Sequence, residues 1–150
     1  MKPILQALVL AERVYEDKSG KKIIAGTFNQ LLIGKVSIPA AKNPDGTERR
    51  VVPGGLDPGC PGVYVSLTDV VDGTEITLQM VNVSKNQVLF QSSLRIAVND
   101  RLATVEVVAP LPPMSMFIRE VGTYSLDVLW RNEILGSHRL VVRELTPPAS

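Results

Sequence analysis

Apolar residues fall at every second position over most of this chain, and that period constrains the fold more than any other feature. In "GVYVSLTDVVDGTEITLQMV", Val63, Val65 and Leu67 alternate before Asp72-Gly73, and Ile76, Leu78 and Met80 alternate after it. An Asp-Gly pair supplies the positive φ angles of a tight turn, so the sequence predicts a hairpin with Leu67 opposite Leu78 and Val65 opposite Met80. The other face then carries Ser66 with Gln79 and Thr68 with Thr77. In the following "VNVSKNQVLFQSSLRIAV", a Ser84-Lys85-Asn86 loop places Met80 opposite Phe90 and Ile76 opposite Leu94, with Asn86 taking a left-handed conformation. Residues 63–98 are therefore expected to form a three-stranded meander in one sheet.

Upstream, "ILQALVLAERVYE" and "KKIIAGTFNQLLIG" read as two strands joined by "DKSG", where Gly20 relieves the bend. Downstream, "ATVEVVAP" reads as a strand closed off by "PLPP", because proline cannot donate to a sheet ladder. "PMSMFIREV" has room for one helical turn.

The last hairpin, "EVGTYSLDVLWRNEILGSHRLVVRE", holds the only Trp and the only His of the chain. Tyr124, Leu126 and Val128 alternate toward one face, as do Leu140 and Val142 on the returning strand. Two registers are open. A bulge at Gly136-Ser137 sets Leu126 opposite Leu140, Tyr124 opposite Val142 and Asp127 opposite Arg139. A three-residue loop instead turns His138 inward against Leu126. The bulged register is preferred because it pairs opposite charges and avoids burying an unpartnered imidazole.

At least seven short strands with turn signals between them predict an all-β, antiparallel, immunoglobulin-like β-sandwich. The Gly-x-Tyr at Gly122–Tyr124 matches the approach to a tyrosine corner. With 150 residues, 45% apolar and 21% charged, one domain over 1–150 is the expectation. An insertion at about 36–62 departs from this simple plan. There Asn43-Pro44-Asp45-Gly46 forms a turn between extended-prone flanks, predicting a protruding β-hairpin arm at 36–53 followed by a long loop. A two-stranded ribbon is marginal alone, so the arm needs a surface to receive it.

On "LVLAERVYEDKSGKKIIAGTFNQL" and "VGTYSLDVLWRNEILGSHRLVV" the chain resembles a family of uncharacterised bacterial and phage-associated small β-sandwich proteins. The resemblance covers most of the chain outside 39–62. Its matching residues are turns and core positions, so it implies a fold and transfers no activity.

Chemistry is sparsely provided. A single Cys leaves no partner for an internal disulfide, and a single His does not make a multi-histidine metal cage. Cys60, in "DPGCPG", and His138 are read as structural or incidental residues rather than a catalytic pair. Asp69, Asp72 and Glu75 lack the ligand spacing of a calcium loop. "DKSGKK" lacks the first glycine and the Ser or Thr of a phosphate loop. No cofactor and no metal are expected. A net charge of +1 and 5% aromatics argue against nucleic acid as the obligatory partner.

No stretch has the roughly twenty apolar residues needed to cross a bilayer. "MKPILQALVLAERVYED" offers no convincing signal-peptide cleavage site, so a cytoplasmic location is expected. Lys42, Arg49 and Arg50, placed on the arm, are the candidate partner-binding residues. The leading expectation is a non-enzymatic interaction or assembly module that engages a protein partner or itself. A small enzyme or ligand binder with a site under the 39–62 loop, and a nucleic-acid binder using the basic arm, are the alternatives.

Overall fold

The computed structural model describes residues 2–33 and 61–144. Of the insertion at about 36–62, residues 36–60, with Lys42, Arg49, Arg50 and Cys60, lie outside the described residues, so the expected arm is not addressed by the structure. The described residues form nine strands, β1 Ile4–Glu16, β2 Lys22–Thr27, β3 Gln30–Ile33, β4 Gly62–Thr68, β5 Thr74–Asn82, β6 Gln87–Ile96, β7 Val105–Pro110, β8 Gly122–Trp130 and β9 Glu133–Glu144, with one 3₁₀ turn at Met114–Met116. They make two sheets. One runs β2-β1-β4-β7 and the other β3-β9-β8-β5-β6, and every pairing is antiparallel except β3 with β9.

The core lies between the sheets, where the alternating residues meet. Leu10, Val63, Val65 and Leu67 come from the first sheet, and Ile76, Leu78, Met80, Leu126, Val128 and Leu140 from the second, all fully buried. Each such side chain contributes about 1.5–3 kcal/mol of transfer free energy. Leu111, Met114 and Ile118, on the crossover between β7 and β8, close one side of this core. The predicted helical turn is therefore present, and it places Met114 inward.

The expected meander at 63–98 is corrected. β4 pairs with β1 and β7, while β5 pairs with β6 and β8, so the Asp72-Gly73 turn carries the chain from one sheet to the other. Asp69 adopts φ 55° and Gly73 φ 82° on the way across. The Val98 N–H donates to Asp72 Oδ1 at 3.0 Å, and the Gly73 N–H donates to Ile96 O at 2.9 Å, fixing the crossing against the end of β6. Leu67 and Leu78 thus belong to facing sheets and are not cross-strand neighbours. Period two specifies which side of a strand is apolar; it is silent on whether the next strand lies beside it or across the core.

The second half of that stretch follows the expectation. Met80 pairs with Phe90 and Ile76 with Leu94. The loop is one residue longer than predicted, since Asn82 pairs with Gln87, and an extra residue at Leu89 restores the register. Asn86 takes the left-handed conformation at φ 51°.

The expected strand at 21–34 divides into β2 and β3. Gly26 turns the chain with φ 72°, and residues 28 and 29 pass from the first sheet to the second. The Phe28 N–H donates to Leu10 O at 3.3 Å on one side, and the Val141 N–H donates to Asn29 O at 2.9 Å on the other. Before this crossing, the "DKSG" bend is held by Asp17, whose Oδ1 accepts from the N–H groups of Ser19 and Lys21 at 2.8 and 2.9 Å and from the Ser19 hydroxyl at 2.7 Å. The Ser19 hydroxyl and the Lys21 N–H hold the Asp17 carboxyl below its ordinary range.

Candidate functional site

The polar groups of the second sheet are the natural place to look for chemistry, beginning with His138. The preferred bulge at Gly136-Ser137 is not what forms. A two-residue turn at Arg131 and Asn132, both left-handed with φ 48° and 64°, joins β8 to β9, and the extra residue lies at Leu135. The result is the alternative pairing: Tyr124 with Leu140, Leu126 with His138 and Asp127 with Ser137. His138 does turn toward the inner face, half-buried, but it has a partner. Its Nε2 lies 3.0 Å from the carbonyl oxygen of Phe28, which can only accept, so Nε2 carries the proton. The imidazole ties β9 to the segment that crosses between the sheets. The cost that argued against burying it is met by a backbone carbonyl the sequence pattern did not reveal.

Asp127 lies on the outer face of the same sheet, yet only 5% of it is exposed. Its Oδ1 accepts from the hydroxyls of Ser125 and Ser137, each at 2.6 Å, and its Oδ2 accepts from the Gln79 amide at 3.1 Å. The expected Asp127–Arg139 pair is replaced by this set of neutral donors, with Arg139 opposite Ser125. Ser125 and Asp127 stand two residues apart on one strand and Gln79 on its neighbour. That spacing is the signal that was present in the sequence. The wrong hairpin register hid Ser137 from it.

Tyr124, 1% exposed, donates its hydroxyl to the Glu120 carbonyl four residues upstream at 2.8 Å. This is the tyrosine corner expected at Gly122–Tyr124. Burial pushes the Tyr124 hydroxyl pKa up, with a smaller push from the Glu120 carboxylate. Glu120 also accepts from Lys85 Nζ at 2.8 Å and from Asn82 Nδ2 at 3.2 Å, so the corner is joined to the β5–β6 loop. Hydrogen bonding and charge from Glu120 raise the Lys85 pKa.

On the first sheet the Tyr64 hydroxyl donates to Glu106, and that hydrogen bond raises the Tyr64 pKa, with desolvation adding to it. At the end of this sheet a cleft of about 500 Å³ is lined by Glu12, Arg13, Val14, Tyr15, Pro61, Gly62, Val108, Ala109 and Pro110. Gly62, part of its wall, lies close against Val14, where a Cβ would stand 3.1 Å from the Val14 side chain. The cleft adjoins the residues at which the described chain resumes after the 36–60 insertion. The alternative expectation of a small enzyme or ligand binder with a site under the 39–62 loop does not point to Glu12, Arg13 or Tyr15, whose alternation reads only as strand.

Among the described residues, every buried side-chain nitrogen and oxygen has a hydrogen-bond partner. Within the same residues, no group of three or more His, Cys, Asp or Glu side chains is gathered as metal ligands. No described helix is long and apolar enough to cross a membrane.

Two facing sheets, a chain that changes sheet at 28–29 and again at 69–73, and a tyrosine corner define an all-β, immunoglobulin-like sandwich. No family model matches the chain, and no curated protein matches it. Among solved structures, an immunoglobulin-like protein from Pseudomonas aeruginosa is similar over 95% of this chain and 98% of that one, at 13% identity and a TM-score of 0.45.

Proposed function

We propose that this protein is a non-enzymatic interaction or assembly module that acts through its surface and through the arm at 36–53. One observation carries the reading: among the described residues, the three buried or half-buried polar side chains His138, Asp127 and Tyr124 serve the framework. His138 holds the crossing segment, Asp127 ties β5, β8 and β9 together, and Tyr124 closes the corner. Lys42, Arg49 and Arg50 are assigned to a protein partner, whose acidic groups they would orient. The bacterial and phage association implied by the resemblance, and the cytoplasmic location, belong to the same proposal.

The test replaces residues 36–53 with a short Gly-Ser linker and compares the two proteins for partner binding and for mass by light scattering. The core should stay folded and partner binding should be lost; unchanged binding together with unchanged mass removes the role of the arm. In the same assay His138→Ala should leave partner binding intact and lower stability by about 1 kcal/mol, the worth of one partly buried hydrogen bond.

A second reading, a ligand binder, is favoured by the cleft beside Pro61 and Gly62, where Arg13 and Glu12 offer both signs of charge next to the half-exposed ring of Tyr15. It requires that Arg13→Ala abolish a binding event that the arm replacement leaves untouched.

A further inference from the structure

The described sheets end in four outer strands: β2 and β7 in one sheet, β3 and β6 in the other. Three of them are short or carry features that discourage pairing with another chain. β7 spans six residues, contains Glu106 and ends at Pro110. β2 also spans six residues, begins at Lys22 and is turned by Gly26. β3 has only four residues. A long outer strand free of proline and lysine is the feature natural proteins avoid when the edge must stay unpaired.

β6 is such a strand. It is ten residues long, has neither proline nor lysine, and carries Arg95 as its only charge. Arg95 stands opposite Glu75 of β5, so even that charge has its counterpart within the sheet. The bulge at Leu89 twists the first residues away and leaves Phe90–Ile96 in regular register. Among the described strands β6 is paired with β5 alone.

We propose that β6 pairs with β6 of a second copy of this chain, antiparallel about a two-fold axis at Ser93, joining the two five-stranded sheets into one. The self-complementarity of the strand selects this occupant. On the outer face Ser93 meets Ser93 of the second copy, and Gln91 meets Arg95, an amide oxygen set against a guanidinium. On the inner face Ser92 meets Leu94, small against large, and Phe90 meets Ile96. No like charges oppose each other. Phe90 is already oriented by its stack on Phe117, with ring centroids 6.3 Å apart. Backbone N–H and C=O groups on the side of β6 that no described strand occupies supply the ladder, and these side-chain pairs fix its register.

This pairing deepens the reading of the protein as an assembly module and is measurable apart from it, because replacing 36–53 leaves β6 intact. Sedimentation equilibrium of the full chain over a range of concentrations should reveal a dimer. Ser93→Lys and Ser93→Glu each set like charges across the axis and should raise the dimer dissociation constant at least about ten-fold. An equimolar mixture of the two should restore the dimer, a result that only a two-fold contact at this position gives. Gln91→Glu, facing Arg95 of the second copy, should tighten association, and Gln91→Lys should weaken it. Circular dichroism and thermal melting verify that each variant is folded, and the Gln91 pair decides the matter if a Ser93 variant fails to fold. A chain that sediments as a monomer at every concentration overturns the proposal. So does a dimer indifferent to all four substitutions, or one that the Ser93 mixture does not restore.

Discussion

Two hairpins build most of the second sheet, and they differ in how much of the molecule holds them. β5–β6 and β8–β9 each turn through left-handed residues and each carry one extra residue near the turn. In β5–β6 the outgoing strand is central and the returning strand is an edge, so Phe90, Ser92 and Leu94 remain half-buried. In β8–β9 both strands are flanked, β8 by β5 and β9 by β3, and Tyr124, Leu126, Val128, Leu140 and Val142 are buried. The same local devices thus produce a well-anchored element in one place and an open margin in the other. Neighbours, and not turn chemistry, set that difference.

The sharpest way to break this comparison is truncation at equivalent inward positions. Leu126→Ala, in the flanked hairpin, should cost about 2–5 kcal/mol in urea denaturation, whereas Leu94→Ala in the edge strand should cost about 1–2 kcal/mol, because the site is already partly hydrated. Equal losses, measured at a concentration where the chain is a monomer, would mean that β6 is covered to the same degree as β8.

A smaller effect tests the anchor that only β8 possesses. Tyr124→Phe removes the hydroxyl that satisfies the Glu120 carbonyl and should cost about 1–2 kcal/mol. Its pH dependence has a definite sign. Burial raises the folded-state pKa of Tyr124 above the ordinary 10.0, so the folded protein keeps this proton longer than the unfolded chain does. The contribution is fully present below pH 10.0 and is lost as pH rises through the raised value. Alkaline titration of the melting temperature should therefore fall less steeply for Tyr124→Phe than for the parent protein.

The smallest expected effect lies in the turns themselves. Asn86 and Asn132 both hold positive φ, at 51° and 64°, which glycine adopts without steric cost. Asn86→Gly and Asn132→Gly should each change stability by no more than a few tenths of a kcal/mol, and by similar amounts. A markedly larger response at Asn132 would indicate that the stack of Arg131 on Trp130, 4.7 Å from guanidinium carbon to ring centroid, depends on that turn.

What could be read from the sequence follows the reach of each interaction. The alternation of Ile76, Leu78 and Met80 against Phe90 and Leu94 is local, and the β5–β6 register from Ile76 to Met80 is as expected. Tyr124 likewise bonds only four residues back, and its corner is in place. The errors arise where a partner is distant in sequence. The local sequence turns His138 outward because it offers no partner nearby; its acceptor, Phe28, is 110 residues away. The Asp72-Gly73 turn reads as a hairpin because nothing local distinguishes a strand that stays in its sheet from one that leaves it. The sequence pairs Asp127 with Arg139 because the register at Ser137 depends on a bulge at Leu135, which leucine does not advertise as glycine does.

The parallel pairing of β3 with β9 joins Gln30 to Val141 and Ile33 to Glu144, residues from opposite ends of the described chain. During synthesis β3 emerges from the ribosome long before the strand it must lie beside. Until Val141 appears, the nascent chain holds an unclaimed four-residue segment and a Phe28 carbonyl awaiting an imidazole. The second sheet consequently cannot be completed progressively as residues emerge: its closure waits on the arrival of β9, and pairing strands so far apart in sequence carries the entropic cost of closing a long loop.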